Sequence, residues 1–476
     1  MNYLFRNIVV LAMAFSLYSC NKTITGTSKV KSAAPSTAEL WLTNGDKSAM
    51  LQKQSSKLSF SEVSNNNASI EINDSSSYQE IDGFGYCLTG GSAELISKMG
   101  KKESKAFLKE LFSTTANNIG VSYLRISIGA SDLDPAVFSY DDLAAGQTDP
   151  SLSKFSLKQD QVYLIPILKE ILSINPNIKI MGSPWSPPVW MKTNKNSKGG
   201  SLLPEYYDTY AQYFIKYIKS MKAEGINIDA ITIQNEPLHP GNNPSMYMEA
   251  KDQAIFIKNH LGPAFEKAAI KTKIIVYDHN CDKPEYPLTI LDDPAANKYV
   301  DGSAFHLYGG KIDALSTVHN AYPAKNIYFT EQWTGGPGDF PKDLQWNVEN
   351  LVIGATRNWS RTVLQWNLAA DPAYKPFTPG GCTTCMGAVT IEGSTVIRNP
   401  AYYIIAHASK FVRPGSKRIE SNIPNDLQNV AFITPQGKKV LIVLNTSKLK
   451  KDFNIKEKGK TLITSLKGGS VGTYIW

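Results

Sequence analysis

Two glutamates stand at the ends of short apolar segments. Glu236 ends the run AITIQNE at residues 230–236, and Glu331 ends the run NIYFTE at residues 326–331. Such runs are typical of buried parallel strands, and the carboxyl ends of these strands carry the active sites of barrel enzymes. Glycoside hydrolysis needs a pair of carboxyl groups, one as acid and base and one as nucleophile. The sequence therefore predicts Glu236 and Glu331 as catalytic residues.

Polar and aromatic side chains also occur at the ends of other apolar segments. The residues that we expect to bind substrate or to support the glutamates are Arg125, Trp185, Asn235, His306, Tyr308 and Trp366. Several also fit structural roles: Arg125 as an ion-pair partner inside a barrel, His306 as a hydrogen-bonded core histidine, and the tryptophans as packing residues. Trp190 and Trp333 fit either role equally well.

Eight apolar segments recur along the chain, and helical or irregular stretches separate them. They span residues 81–89, 121–129, 178–184, 230–237, 273–280, 302–309, 326–333 and 361–369. Two stretches between them have helical periodicity: residues 206–222, through Tyr210, Phe214, Tyr217, Ile218 and Met221, and residues 159–174, through Val162, Ile165, Leu168 and Ile171. Buried strands that alternate with helices form a parallel sheet covered on both faces. Eight such units predict an α/β fold, a (β/α)8 TIM barrel, at residues 79–400.

The segments on either side of the barrel have a different pattern. Residues 38–78 and 401–476 contain short alternating stretches, such as LSFS at 58–61 and VAFI at 430–433, with turn signals between them. This pattern predicts antiparallel hairpins. We expect the N- and C-terminal segments to form one side β-sandwich beside the barrel.

Residues 1–19 have the pattern of an export signal. Arg6 precedes an apolar run at 8–17 that is too short to span a bilayer. The run ends in LYSC, which resembles a bacterial lipobox and predicts lipidation of Cys20; an ordinary signal peptide with an incidental cysteine is the alternative. Residues 20–37 are predicted to form a flexible tether. The chain would then be an exported bacterial lipoprotein of the outer membrane, cell surface or periplasm, with a lipid anchor in the membrane.

Charge and cysteine content narrow the range of partners. The net charge of +8 is mild and acidic residues interrupt the basic stretch at 448–460, so we expect no nucleic-acid partner. Cys382 and Cys385 form a single C-x-x-C pair, which favours a local disulfide or two free thiols over a four-ligand zinc site. We interpret Asp278-His279-Asn280 as structural rather than metal-binding. We expect a monomer that needs no metal and no organic cofactor.

The arrangement of these motifs resembles glycoside hydrolase family 30, a retaining family that includes glucosylceramidases, β-1,6-glucanases and glucuronoxylanases. The resemblance rests on GFG at 83–85, SPWSPPVWMKTN at 183–194, QNEP at 234–237, HLY at 306–308 and TE at 330–331. It implies a barrel with a side β-sandwich, Glu236 as the acid and base, and Glu331 as the nucleophile. It also implies that Asn235 binds the sugar 2-hydroxyl and that Trp185 and Trp366 form the apolar walls of the site.

The two glutamates need different electrostatic surroundings in such a mechanism. A nucleophile must stay ionised, so we expect Arg125, His306 and Tyr308 to lower the pKa of Glu331. We expect burial beside aromatic rings and repulsion from Glu331 to raise the pKa of Glu236 until the nucleophile is consumed. The two carboxyl groups themselves then supply nucleophile and proton.

The sequence departs from the family pattern after the GFG motif. Many members carry an aspartate there that binds hydroxyl groups of the terminal sugar, whereas this chain has Gly90. A site without that carboxylate favours a chain substrate, and the GGCTTC loop at 380–385 resembles the β-1,6-glucanase branch. We therefore predict an endo-β-1,6-glucanase that acts on β-glucan polysaccharide or oligosaccharide. The alternatives are a glucosylceramidase-like β-glucosidase of sphingolipid metabolism, a β-xyloside-cleaving relative, and a non-catalytic glycan-binding lipoprotein.

Overall fold

The computed structural model describes residues 37–476. The predicted export signal, the lipidation site at Cys20 and the tether up to residue 36 lie outside the described residues. Within the described part of the chain, no helix has the length and apolar character needed to cross a bilayer.

Eight parallel strands close into a barrel. In chain order they are β1 (Gly83–Cys87), β2 (Tyr123–Ser127), β3 (Lys179–Ser183), β4 (Ala230–Thr232), β5 (Lys273–Cys281), β6 (Val300–Gly310), β7 (Asn326–Glu331) and β8 (Ser360–Asn367). Each strand pairs with the next, and β8 pairs with β1. At Gly85 a side chain would collide with the backbone carbonyl of Tyr123, so glycine permits the close approach of β1 and β2. The predicted (β/α)8 barrel is confirmed.

Helices cover the outside of the barrel. The α-helices are Gly90–Lys98, Lys101–Phe112, Leu164–Ile174, Tyr207–Ala223, Ala250–Phe256, Gly262–Lys267, Glu285–Leu291, Pro294–Asn297, Ala314–Ala321, Phe340–Asn347 and Pro400–Ser409. Two π-helical segments, Ile257–Leu261 and Val348–Ala355, and two short 3-10 turns, Val189–Met191 and Pro204–Tyr206, complete them.

Of the two helices predicted from periodicity, one matches its prediction and the other begins later than predicted. Helix Tyr207–Ala223 buries all five of its predicted apolar residues. The other helix begins only at Leu164, because residues 158–163 form turns. Val162 lies on these turns and is 58% exposed, so the prediction that it packs inward is wrong.

A ten-stranded sheet lies beside the barrel and contains both ends of the described chain. Its strands, in spatial order, are Gln52–Lys53, Thr37–Thr43, Val471–Ile475, Lys439–Asn445, Leu427–Ile433, Lys417–Ser421, Ala68–Glu80, Lys451–Glu457 and Lys460–Leu466, with Leu58–Ser59 on Thr37–Thr43. The long strand Ala68–Glu80 pairs through its first part with Lys451–Glu457 and through its remainder with Lys417–Ser421. Side chains from both parts of the sheet, including Ile70, Leu441 and Phe453, form one apolar core. The predicted side β-sandwich is confirmed.

Several short strands lie in the loops after β7 and β8: Thr334–Gly335, Ala369–Ala370, Cys385–Met386, Val389–Glu392 and Thr395–Arg398. Helix Pro400–Ser409 follows them. We predicted residues 401–476 as part of the sandwich, but this helix packs on the barrel, where Tyr86 of β1 donates hydrogen bonds to the carbonyls of Ala401 and Tyr402.

The barrel interior changes from apolar to polar along the strands. The lower layer is apolar and consists of Tyr123, Met181, Ala230, Ile275, Ala304, Tyr328 and Leu364. Alternate residues of a strand face the same side, so the residue two positions later also points inward. On the six strands of this layer other than β5, that position holds a polar or aromatic side chain: Arg125, Ser183, Thr232, His306, Thr330 and Trp366. On β5 a register shift after Tyr277 interrupts the alternation. The carboxyl ends of the strands therefore carry a polar layer.

Candidate active site

Glu331 ends β7 and lies buried in this polar layer. Arg125 Nη1 donates to Glu331 Oε2 at 2.5 Å, and the hydroxyl of Tyr308 donates to Glu331 Oε1 at 2.9 Å. Both partners come from other strands, β2 and β6, so the closed barrel brings the three together. The two donors fix the orientation of the carboxylate and leave one face of it toward the cavity.

Glu236 lies four residues beyond the observed end of β4, in a turn. Its backbone has a φ of 45°, which non-glycine residues rarely adopt, and its N–H donates to the carbonyl of Asp278 at 3.0 Å. His306 Nδ1 lies 3.2 Å from Glu236 Oε1. This turn, together with the anchor on β5, directs the Glu236 side chain into the cavity.

One imidazole nitrogen connects the two glutamates. His306 Nδ1 lies 3.2 Å from Glu236 Oε1 and 3.9 Å from Glu331 Oε1. These two contacts bring both carboxyl groups to one imidazole nitrogen, as a pair that acts on a single sugar requires. His306 therefore contacts both glutamates and is not only a hydrogen-bonded core histidine.

Asp278 connects most of the polar layer. Its carboxylate accepts hydrogen bonds from Arg125 Nη2 at 2.8 Å, from Thr232 and Thr330 at 2.7 Å each, and from His306 Nε2 at 3.1 Å. The interpretation of the Asp278-His279-Asn280 segment as structural is therefore incomplete, because Asp278 orients two residues of the site. His279 also reaches the site, where its Nδ1 lies 3.8 Å from Glu236 Oε1.

The guanidinium of Arg125 is fully buried and uses its donors on four groups. Besides Glu331 and Asp278, it contacts Ser183 Oγ at 3.1 Å and Asn235 Oδ1 at 2.6 Å. Arg125 is thus an ion-pair residue inside the barrel and a site residue at once. The contact with Asn235 leaves the amide NH2 of that side chain available to donate to a ligand.

The ionisation of the two glutamates is opposite to the prediction. Burial raises the pKa of Glu236, but the imidazoles of His279 and His306 outweigh it and lower the pKa of Glu236 well below its usual range. Burial also raises the pKa of Glu331, and with the nearby charges of Glu236 and Asp278 it outweighs His306 and Arg125. Burial is the largest cause of the raised pKa of Glu331, and the charge of Arg125, which also pairs with Asp278 at 2.8 Å, does not offset it.

His306 carries the proton that the prediction assigned to Glu236. Burial lowers the pKa of His306, but the charge of Glu331 and the hydrogen bonds to Asp278 and Glu236 raise the pKa of His306 to about 9. At neutral pH the imidazolium therefore lies between Asp278 and Glu236, with its Nδ1 proton directed at the Glu236 carboxylate.

Aromatic rings and a disulfide form the walls of a cavity of about 280 Å³ above the glutamates. Trp185 and Trp366 stack with their ring centroids 5.3 Å apart, and the Arg125 guanidinium lies 4.8 Å from the Trp185 ring. Trp333 and Tyr308 also line the cavity. Trp190 does not line it; its indole N–H donates to the carbonyl of Asp141 at 2.9 Å, a packing role.

Asp132, which we did not predict from the sequence, lines the cavity in a loop after β2. Its Oδ2 accepts a hydrogen bond from the backbone N–H of Cys382 at 3.2 Å. Cys382 and Cys385 are joined in a disulfide, one of the two states left open by the sequence. Burial and the charge of Glu331 raise the pKa of Asp132 to about 7. None of the sequence motifs indicated Asp132, because it lies neither at the end of a predicted strand nor near the two glutamates in sequence.

Gly90 has a structural explanation. A side chain at this position would collide with the carboxylate of Asp134, which accepts hydrogen bonds from the N–H and Oγ of Ser131 at 2.7 Å. The absence of an aspartate at position 90 therefore does not leave the cavity without a further carboxyl group, because Asp132 supplies one. That Gly90 favours a chain substrate over a terminal sugar stays a prediction.

This fold and this pair of carboxyl groups define a barrel glycoside hydrolase, and sequence comparison identifies its family. The Glycosyl hydrolase family 30 TIM-barrel domain matches residues 81–412, and the Glycosyl hydrolase family 30 beta sandwich domain matches residues 415–474. The chain belongs to glycoside hydrolase family 30.

Individual relatives agree with this assignment. An endo-1,6-beta-D-glucanase of Aspergillus fumigatus is 36% identical over 406 residues, which are 79% of this chain and 81% of the relative. A putative glucosylceramidase of Caenorhabditis elegans is 30% identical over 402 residues, or 79% of this chain and 76% of the relative. The solved structure of the endo-beta1,6-glucanase BT3312 is 36% identical with a TM-score of 0.86, and the match covers 92% of this chain and 99% of that one.

Proposed function

We propose that this protein is a retaining endo-β-1,6-glucanase in which Glu331 is the nucleophile and Glu236 is the acid and base. The observation that carries the mechanism is the placement of both carboxyl groups on one nitrogen of His306, in a single cavity with aromatic walls. The linkage is supported by the relatives named as endo-1,6-beta-glucanases, which are more similar to this chain than the glucosylceramidase is.

In the first step Glu331 attacks the anomeric carbon of the sugar and Glu236 protonates the departing glycosidic oxygen. The proton comes from the His306 Nδ1, which is directed at Glu236 Oε1 in the free protein. As the ester forms on Glu331, that carboxylate loses its negative charge. In the second step Glu236 removes a proton from water, the water oxygen bonds to the anomeric carbon, and the ester bond to Glu331 breaks. Glu236 then returns this proton to His306 Nδ1, which restores the free protein.

Two neighbours of the glutamates have roles in binding the sugar. The free amide NH2 of Asn235 is placed to donate to the 2-hydroxyl, a hydrogen bond that strengthens in the transition state of such reactions. Trp185 and Trp366 line the cavity and offer an apolar surface to the sugar ring, with 1% and 3% of their surfaces exposed.

Hydrolysis of defined polysaccharides tests the proposal. We expect release of short oligosaccharides from β-1,6-glucan, and much slower hydrolysis of β-1,3-glucan, β-1,4-glucan, xylan and glucosylceramide. Proton NMR of the early digest should show the new reducing end first as the β-anomer, since two displacements retain configuration. Initial release of the α-anomer would contradict the mechanism, and preferential hydrolysis of glucosylceramide would contradict the substrate.

Replacement of Asp132 by asparagine tests its role in holding the sugar. A hydrogen bond to a charged group contributes about 1.5–3 kcal/mol, so we expect a roughly 10–100-fold fall in kcat/KM, mainly through KM. The measurement is steady-state hydrolysis of a β-1,6-linked oligosaccharide. Asp452→Asn, at an exposed aspartate of the sandwich, is the matched control and should leave both constants unchanged. An unchanged KM in Asp132→Asn would show that this carboxyl group does not contact the substrate.

A further inference from the structure

Glu236, His279 and His306 bring three metal-binding atoms to one side of the cavity. Glu236 Oε1 lies 3.2 Å from His306 Nδ1 and 3.8 Å from His279 Nδ1. All three ligand atoms lie within 4.8 Å of one another. Ligand atoms around a tetrahedral zinc ion, with bonds of roughly 2.0–2.2 Å, lie about 3.3 Å apart. Small rotations of the two rings therefore bring the three atoms to coordinating distance.

The hydrogen bonding of the two histidines points to a ligand. His279 is only 7% exposed, and its Nδ1 has no hydrogen-bond partner in the described part of the chain. A buried nitrogen without a partner is costly. His306 contacts the carboxylate of Asp278 through Nε2 at 3.1 Å and turns Nδ1 toward Glu236. A carboxylate behind the second ring nitrogen is the usual support of a metal-binding histidine.

We propose that Glu236, His279 and His306 bind one divalent d-block cation, Zn²⁺ or Cu²⁺, and that the bound cation inhibits hydrolysis. Two imidazoles and one carboxylate suit these ions better than Mg²⁺ or Ca²⁺, which prefer oxygen ligands. The cation displaces the proton on His306 Nδ1 to solvent and occupies the Glu236 oxygen. That oxygen can then no longer protonate the glycosidic oxygen. Only the inhibition, and not the binding, rests on the proposed hydrolytic function.

Calorimetric titration of the folded protein with ZnCl2 tests the binding. We expect one ion per molecule, with an affinity that falls in His279→Asn by at least the roughly 10–100-fold that loss of a hydrogen-bond partner behind a ligand costs. His260→Asn is the matched control, because His260 lies on the π-helical segment Ile257–Leu261, pairs with Asp208 at 2.6 Å and does not line the cavity. The control should bind zinc as the unsubstituted protein does. Equal affinity in the His279→Asn and unsubstituted proteins, or no binding to either, would overturn the proposal.

Hydrolysis of β-1,6-glucan under the same zinc concentrations tests the inhibition. We expect the rate to fall in proportion to the zinc-bound fraction and to recover when EDTA is added. The zinc concentration for half inhibition should rise about tenfold or more in His279→Asn, whatever the basal rate of that variant. Zinc binding without loss of hydrolysis would overturn the inhibitory role. Absence of hydrolysis before any metal is added would instead contradict the proposed function, while the calorimetry still decides the metal site.

Discussion

Replacement of Glu331 by alanine is expected to lower kcat/KM on β-1,6-glucan by on the order of 10⁴-fold or more. The variant lacks the oxygen that bonds to the sugar, and it leaves Arg125 Nη1 and the Tyr308 hydroxyl without their acceptor. Glucan binding is expected to persist, because Asp132 and the aromatic walls remain. Initial rates of reducing-end release give the first quantity, and affinity electrophoresis in glucan gels gives the second.

The matched control for this variant is Glu103→Ala, at an exposed glutamate of helix Lys101–Phe112. It should keep the activity of the unsubstituted protein. Hydrolysis by Glu331→Ala at more than a few per cent of the normal rate would contradict the role of Glu331. If the unsubstituted protein and Glu331→Ala both hydrolysed glucan at the same very low rate, the alternative of a non-catalytic glycan-binding protein would be favoured.

Added azide separates the roles of the two glutamates in the same experiment. In Glu331→Ala, azide can attack the anomeric carbon directly while Glu236 protonates the leaving oxygen, and the glycosyl azide then has the α configuration. In Glu236→Ala, the ester on Glu331 still forms with activated substrates, and azide displaces it to give the β configuration. The opposite pattern would show that the assignment of the two roles is reversed.

Much of this site follows from the alternation of side chains along parallel strands. Once Tyr328 and Ala304 are recognised as apolar interior residues, Thr330 and His306 must also point inward two positions later. Arg125 follows Tyr123 on β2 by the same rule. Strand type and the residues of this layer depend on local sequence, and a single sequence therefore predicts them. Barrel closure is a long-range property, and its prediction came from the count of eight strand and helix units.

Asp278 could not be predicted in this way, because β5 departs from regular alternation. Ala304 pairs with Tyr277 and Phe305 pairs with His279, so Asp278 is an extra residue in the strand. Tyr277 and Asp278 both have positive φ values, 75° and 63°. Such a bulge re-aims side chains near active sites. Its position depends on the neighbouring strand, which the sequence of β5 alone does not describe.

The predicted directions of the pKa shifts of Glu236 and Glu331 were wrong for a related reason. The sequence indicated which donors surround Glu331, but not that Asp278 competes for the same guanidinium. With Arg125 and His306 charged, two cations face the three carboxylates of Asp278, Glu236 and Glu331. The ionisation of each group then depends on all the others, and the sequence does not give the distances that set these couplings.

Asp278→Asn is expected to lower kcat/KM by on the order of 10²-fold. Asp278 positions Arg125 and His306, and the substitution would misplace both side chains. The carboxylate accepts four hydrogen bonds, and the NH2 of asparagine must face two of those donors. Loss of the negative charge also lowers the pKa of His306, which Asp278 helps to raise to about 9. Because that proton is needed for the first step, the alkaline limb of the pH profile of kcat/KM should move to lower pH.

Asp82→Asn is the matched control, since Asp82 is buried at the opposite end of the barrel and binds Arg361 at 3.0 and 2.9 Å and Lys179 at 2.8 Å. Removal of one partner of a buried ion pair costs about 3–5 kcal/mol, so urea denaturation should show a loss of stability in both variants. Only Asp278→Asn should move the alkaline limb, because only Asp278 contacts His306. If both variants lose stability and neither moves the limb, Asp278 stabilises the barrel without tuning the proton that Glu236 receives.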